Sequence, residues 1–331
     1  MHIFIDESGT FTTREDGSSV GAVGALVVTE SQVTEFERRY RQLRPLLPKE
    51  RGEVKGKLLD EGDVARVVNV ARRAGLIYEV TVIDQLPGSE QIIAKHRADQ
   101  CDGLTGNITA EHHPNLVAWV HDLRTRLEQL PLQLYVQSVA TFDLIWRTLS
   151  HATAYYSQRE PHSLARFRWM VDAKAAVGVT DWEDWWSKVV KPMAQSRSFR
   201  EPFPQLEDGD YSHMPAEDVP LSDYYVKEFP DLKGASGLAL GPLLGDITFS
   251  AEAVPGLEMV DVLTNAVRRA LTGRLGTRGW EGVSGIMIHR REPTYVHAMG
   301  FGSSRPVVDA HAAQVLRRLG RGGRSMLTDY G

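Results

Sequence analysis

The chain is organised around its opening stretch, Met1-His2-Ile3-Phe4-Ile5-Asp6-Glu7-Ser8-Gly9-Thr10-Phe11. Residues 2–5 are mostly apolar and β-prone, which predicts a short buried strand. Asp6 and Glu7 follow at once. A carboxylate at the end of a buried strand loses hydration, so this pair needs a partner such as a cation. An ordinary turn is the alternative, because Asp-Glu-Ser-Gly is also good turn chemistry.

The composition is that of a globular protein with a sizeable core. The chain has 331 residues, of which 42% are hydrophobic and 24% charged, enough for one large domain with inserted segments or for two small ones. No apolar run approaches the roughly 20 residues of a membrane span. The chain also enters a strand without a signal peptide, so we expect a cytoplasmic protein with no membrane partner. The single cysteine, Cys101, excludes an internal disulfide and a multi-cysteine zinc site.

The charge of the chain is unevenly spread. The net charge is -5, so no global basic field points to a polyanion. Residues 262–331, however, hold 11 Arg, no Lys and 4 acids, a net charge of +7 that leaves -12 for residues 1–261. A local basic surface is compatible with nucleic acid, and solvated helix faces are the alternative.

Hydrophobic periodicity predicts alternating strands and helices after an opening hairpin. The predicted strands cover 2–5, 20–28, 76–83, 132–137, 167–171, 247–250 and 283–288. The predicted helices cover 29–44, 62–74, 115–130, 142–158, 182–196, 256–272 and 309–319. Between them we expect a connector or insertion at 85–114, an acidic Pro-rich arm or flap at 198–245, and a C-terminal helix with a basic tail at 305–331. This order is typical of an α/β fold with a mixed sheet flanked by helices, in one domain from 1 to 331.

Four acids share one feature: each ends a β element or interrupts an apolar helix face. They are Asp6, Glu53, Asp172 and Asp261. Asp261 is the most informative, because Met259-Val260 and Val262-Leu263 flank it and make a solvated position difficult to arrange. Each acid alone has an ordinary explanation, but the four together favour a shared site.

The chain resembles the bacterial family known as domain of unknown function 3800. The resemblance covers residues 1–273 and rests on four blocks. They are Asp6-Glu7-Ser8-Gly9, Glu53-Val54-Lys55-Gly56-Lys57-Leu58-Leu59, Val171-Asp172, and Gly256-Leu257-Glu258-Met259-Val260-Asp261 continuing to Ala266 and Arg268. Two departures stand out: the second block is shifted slightly at its end, and Glu258 replaces the glutamine expected in the fourth.

This resemblance implies a ribonuclease H-like fold, in which the four acids converge from the first strand, a second element, a later strand and a final helix. Oxygen ligands select hard cations, so Mg²⁺ or Mn²⁺ is the expected cofactor. Two such ions about 3.5–4 Å apart support in-line hydrolysis of a phosphodiester. Asp6 is then the bridging ligand, and Glu53, Asp172 and Asp261 complete the two sites.

Four further residues are secondary candidates: Glu7, Lys55, Lys174 and Glu258. Either lysine would contact phosphate or hold a carboxylate in place, and a structural counter-ion is the alternative. Glu258 would tighten metal binding or pair with an arginine. Glu7 would point away from the site if Asp6 points into it, because neighbouring strand residues face opposite sides.

The sequence therefore predicts a nuclease that hydrolyses DNA or RNA with divalent metal ions. The motifs of a P-loop enzyme, a zincin and an α/β-hydrolase are absent. The rival hypothesis is a non-catalytic scaffold that holds nucleic acid or a protein through its arginine-rich C-terminal part. The presence of all four acids favours the nuclease.

Overall fold

A six-stranded mixed sheet forms the centre of the molecule. Numbered along the chain, its strands are β1 (His2–Ser8), β2 (Ser19–Val28), β5 (Ile77–Gln85), β6 (Arg168–Asp172), β9 (Asp246–Ser250) and β10 (His297–Met299). The order in space is β10-β5-β2-β1-β6-β9. The pairs β1–β2 and β2–β5 are antiparallel, whereas β6 is parallel to β1, β9 to β6 and β10 to β5. Two short hairpins lie outside this sheet, β3 (Lys49–Glu50) with β4 (Glu53–Val54) and β7 (Asp218–Pro220) with β8 (Ser236–Leu238).

This arrangement is seen in a computed structural model that describes most of the chain. The described residues are 1–12, 19–85, 88–106, 108–173, 180–201, 203–221, 226–227, 230–232, 234, 236–289, 295–301 and 309–328. Their helices are α1 (Glu30–Leu43), α2 (Glu61–Arg73), α3 (Glu90–Thr105), α4 (Pro114–Gln129), α5 (Leu132–Ser157), α6 (Asp181–Trp185), α7 (Lys191–Arg200), α8 (Pro255–Leu271), α9 (Thr277–Trp280) and α10 (Ala310–Leu319). A π-helical turn, Trp186–Val190, joins α6 to α7.

The two faces of the sheet pack against different helices. Ile3 and Ile5 of β1 belong to a core that includes α5 and the tryptophans of α6. Phe4, between them, belongs to a second core built with α1, α2, α8 and α10. Successive strand residues point to opposite faces, so the apolar alternation of β1 separates an α5 face from an α8 face.

Two of the predicted strands are wrong. Residues 132–137 begin the 26-residue helix α5, whose N-cap is Pro131. No glycine or proline interrupts 132–157, so the alternating start simply continues into the helix. Residues 281–286 form a 3₁₀ helix rather than a strand, and only Ile288 pairs there, as an isolated bridge to Arg324. The last strand of the sheet is the unforeseen β10.

The inserted segments are more regular than expected. The 85–114 connector contains the 16-residue helix α3. Only Ile93 and Cys101 of this helix are buried, so its sequence shows no clear hydrophobic periodicity. In the acidic arm, Phe203 packs edge-on against Trp146 of α5 at 6.0 Å between ring centroids, and the amide of Asp210 donates to the Ser157 carbonyl. These described parts of the arm lie on the α5 face.

A search for membrane-spanning helices gives a negative result. Within the described ranges, none of the helices combines the length and the apolar character that a bilayer crossing requires.

Candidate functional site

The parallel pairing of β1 with β6 aligns two of the predicted acids. Ile5 pairs with Val171, and Asp6 and Asp172 are the next residues of their strands. Adjacent strands lie about 5 Å apart. Phe4 of β1 packs into the α8-side core, so alternation turns Asp6, two residues on, to the same face. Asp172 follows the same rule on β6, and the two carboxylates therefore neighbour each other on the α8 face.

Helix α8 runs along this face and carries the third acid. Near its start, Gly256 lies so close to the Phe4 ring that an added Cβ would fall 2.4 Å from it. Farther along, Asn265 Nδ2 donates to Ser8 Oγ at 3.0 Å. These two contacts bracket Asp6 on β1 and Asp261 on α8. The helix is therefore fixed with Asp261 beside the end of the sheet where Asp6 and Asp172 lie.

The segment around Glu53 completes the group. The amide of Gly56 donates to Asp261 Oδ2 at 2.7 Å. Only glycine allows this approach, because a Cβ at residue 56 would lie 2.7 Å from the Asn265 Cβ. The preceding residue is Lys55, whose ammonium pairs with Glu53 Oε2 at 2.6 Å. The predicted second block therefore docks directly onto α8.

The electrostatics show that these groups act on one another. Burial raises the pKa of Asp172 to about 6, and the charges of Asp261 and Glu53 add to the rise while Lys55 opposes it. Burial also raises the pKa of Asp261, against the Gly56 amide and Lys55. Burial alone would lower the pKa of Lys55, but Glu53, Asp261 and Asp172 raise it, so this ammonium stays charged. Lys55 is thus a cation held among three carboxylates.

Glu258 has a different environment, although it lies on the same helix three residues before Asp261. Its side chain is 3% exposed and accepts two hydrogen bonds from Arg44. It also accepts from the Tyr40 hydroxyl and the Val54 amide. Burial on its own would raise the pKa of Glu258, but these donors hold it below its usual value. Of the two roles expected for Glu258, the structure shows the arginine pair.

The remaining candidates are placed as follows. Asp6 is 7% exposed, its Oδ1 accepts from the Glu7 amide at 2.7 Å, and its charge adds to the rise that burial causes in the pKa of Tyr78. The alternation of β1 turns Glu7 to the α5 face, away from Asp6, as expected. Lys174 lies outside the described residues.

The donor chemistry suits a hard divalent cation, but the side chains do not form a finished cage. All four acids offer carboxylate oxygens, the ligands that Mg²⁺ and Mn²⁺ prefer. Among the described residues, no three His, Cys, Asp or Glu side chains are grouped so as to hold a metal ion. In this arrangement Lys55 acts on Glu53, Asp172 and Asp261, Lys57 also acts on Asp261, and the Gly56 amide donates a hydrogen bond to Asp261.

Sequence reasoning missed a polar network on the α5 face. Asp143 of α5 accepts from Thr81 Oγ1 at 3.1 Å and from Arg147 Nε at 3.0 Å. His297 Nε2 lies 3.6 Å and Arg197 Nη1 3.8 Å from the same carboxylate. The one signal available in sequence was a charged pair at i, i+4 within an apolar helix.

Comparison of the chain with protein-family models, with curated proteins and with solved structures gives no match.

Proposed function

We propose that the protein is a divalent-metal-dependent nuclease with a ribonuclease H-like fold. One observation carries the proposal: Asp6 and Asp172 lie at the C-terminal ends of the neighbouring parallel strands β1 and β6, Asp261 lies on the helix α8 that packs on β1, and the Glu53 segment docks on α8. That set of elements is the one expected of a ribonuclease H-like site. The half-buried Asp172 carboxyl, whose pKa is raised to about 6, supports this, because strongly shifted pKa values cluster at functional sites.

In this function Asp6, Glu53, Asp172 and Asp261 would hold the metal ions. When bound, Mg²⁺ or Mn²⁺ supplies an activated water and stabilises the leaving oxygen of a phosphodiester. The chain's own contribution is to fix the carboxylates. The Gly56 amide orients Asp261, and the packing of α8 on β1 keeps Asp6 from solvent. When substrate binds, the Lys55 ammonium would leave Glu53 and pair with a phosphate of the substrate.

The test is cleavage of labelled single- and double-stranded DNA and RNA in Mn²⁺ by the wild type and Asp172→Asn. We expect the wild type to cut at least one substrate and the variant to lose at least about 100-fold, as when a group that stabilises the transition state is removed. Glu207→Gln, which removes an exposed acid of the arm, is the matched control and should cut normally. Equal cleavage by Asp172→Asn would overturn the proposal.

A binding scaffold is the second candidate, and the Lys55–Glu53 pair is the observation that favours it. Carboxylates that already have a lysine and an amide need no metal ion. Thermal melting in a Mg²⁺ or Mn²⁺ titration separates the two functions, because a ligand of the native state raises its stability. The nuclease requires a shift in the wild type that is lost in Asp6→Ala. An absent shift, or one that Asp6→Ala leaves unchanged, favours the scaffold.

A further inference from the structure

The C-terminal helix α10 forms a concavity that the proposed site does not use. Its lining is Gln314, Arg317, Arg318 and Arg321, and we call it the arginine concavity. Its volume is about 270 Å³. A water molecule takes about 30 Å³ in the liquid, so the space accommodates a phosphate group with its hydrating waters.

The guanidinium groups of this concavity have few partners among the described residues. Arg317 Nε donates only to the Ala313 carbonyl of its own helix, and Arg318 Nη1 reaches Thr277 Oγ1 at 3.4 Å. In the part of the chain that the structure describes, no carboxylate pairs with Arg317, Arg318 or Arg321. All three side chains are exposed. Within the described residues, α10 and Arg321 just beyond its end thus present three positive charges close together, in a chain whose net charge is -5.

Other arginines of the basic C-terminal part have structural partners. Arg324 donates to the carbonyls of Gly75 and Gly285. Arg269 donates to the carbonyls of Gly56 and Leu59. The concavity therefore differs from its surroundings in having donors that remain available to an external anion.

We propose that the arginine concavity binds a backbone phosphate of the nucleic acid on which the acidic site acts, an inference that rests on the proposed function. Three arginines and an amide offer planar, multiple donors, the geometry that suits phosphate oxygens. A protein partner would require apolar or aromatic anchors, and the lining has none. A membrane surface would require an exposed apolar helix face. The apolar face of α10 is buried in the core, through Ala312, Val315, Leu316 and Leu319.

The concavity lies on a helix that contacts the C-terminal end of α8. His311 Nε2 donates to the Ala270 carbonyl at 2.8 Å, which joins α10 to the C-terminal end of α8. Asp261 lies nine residues earlier on α8, about 13.5 Å along the helix axis. Successive phosphates of a B-form strand advance about 3.4 Å, so this axial distance corresponds to about four nucleotide steps.

The test measures binding without cleavage. Labelled oligonucleotides are titrated by fluorescence anisotropy over a salt series, with EDTA, using full-length protein that carries Asp172→Asn. The variant Arg317→Gln/Arg318→Gln/Arg321→Gln should lower the slope of log K against log salt by about 0.9, the value for one lost phosphate contact, and weaken binding about 10- to 100-fold. The matched control is Arg38→Gln/Arg39→Gln/Arg41→Gln, which removes the same charge from α1 arginines that pair with Glu35 and Glu37. This control should change the slope far less.

Each outcome decides the proposal. An unchanged slope, or an equal loss in the α1 control, overturns it. A triple arginine variant that loses binding to phosphatidylserine vesicles but still binds the oligonucleotide normally also overturns it. A lowered slope in a protein whose wild type cuts nothing supports the concavity and refutes the nuclease. Cleavage that depends on Asp172 with an unchanged slope supports the nuclease and refutes the concavity.

Discussion

Asp172→Asn should stabilise the metal-free protein, and only at neutral and alkaline pH. The rise of its pKa from an ordinary value of about 4 to about 6 corresponds to about 3 kcal/mol of unfavourable interaction in the ionised form. The side chain is partly exposed and solvent screens it, so we expect about half of this, near 1.5 kcal/mol. Asparagine removes the charge and therefore the penalty.

The sign follows from proton linkage. Below about pH 4 both the native and the unfolded carboxyl are protonated, so wild type and variant should differ little. Between about pH 4 and 6 the native state binds more protons than the unfolded state, and the stability contributed at Asp172 falls as pH rises. Above pH 6 the penalty is complete, and the variant should melt about 3 °C higher.

The assay is thermal and urea denaturation of both proteins in EDTA from pH 4 to pH 8. Glu258→Gln is the matched control with the opposite sign. Because the pKa of Glu258 is lowered in the native state, its carboxylate contributes stability at pH values above the ordinary pKa of a glutamate. The Gln variant should therefore be less stable than wild type at pH 8 and approach wild type as pH falls. If Asp172→Asn is destabilised at pH 8, or if its effect does not change with pH, the ionised Asp172 carboxylate does not destabilise the native state.

Two further substitutions test the packing around each face. Gly56→Ala should cost about 1–3 kcal/mol of unfolding free energy and reduce the Mn²⁺-induced rise in melting temperature, because a Cβ would push the amide away from Asp261. Gly103→Ala in α3, where a Cβ meets open space, is its control, and equal effects would refute the docking. Asp143→Ala should cost about 3 kcal/mol in urea denaturation, since it leaves the partly buried Arg147 without its carboxylate. A cost below about 1 kcal/mol would mean that the network on the α5 face does not support the fold.

The elements that sequence reasoning placed correctly have local signals. The strands β1, β2, β5 and β6 have compact apolar runs ended by polar or glycine residues, and α8 has a complete apolar face. The strand β10 has only three residues, each partly exposed, and no local pattern distinguishes it. It pairs because β5 offers a free edge, which is a tertiary effect.

The same distinction between local sequence signals and tertiary effects applies to the candidate site. The apolar neighbours of Asp172 and Asp261 indicated carboxylates in poorly solvated positions, and their raised pKa values agree with that. Sequence could not separate Asp261 from Glu258, because both lie on one helix face among apolar residues. The difference is made by Arg44, which is 214 positions away in the chain from Glu258 and reaches it only in the folded molecule.

That difference also separates the compensated acid Glu258 from Asp261 and Asp172. Glu258 is the more buried of the two, yet four donated hydrogen bonds make its charged form favourable. Among the described residues, Lys55 acts on both Asp261 and Asp172, and Lys57 and the Gly56 amide act on Asp261, yet burial still raises both pKa values. An additional cation would stabilise the charged forms of Asp261 and Asp172, which remain under-compensated. At Glu258, whose charged form is already favourable, it would add little stability. Unequal compensation among neighbouring carboxylates, and not their number, is therefore what favours metal binding, and the opposite pH dependences of Asp172→Asn and Glu258→Gln measure that inequality directly.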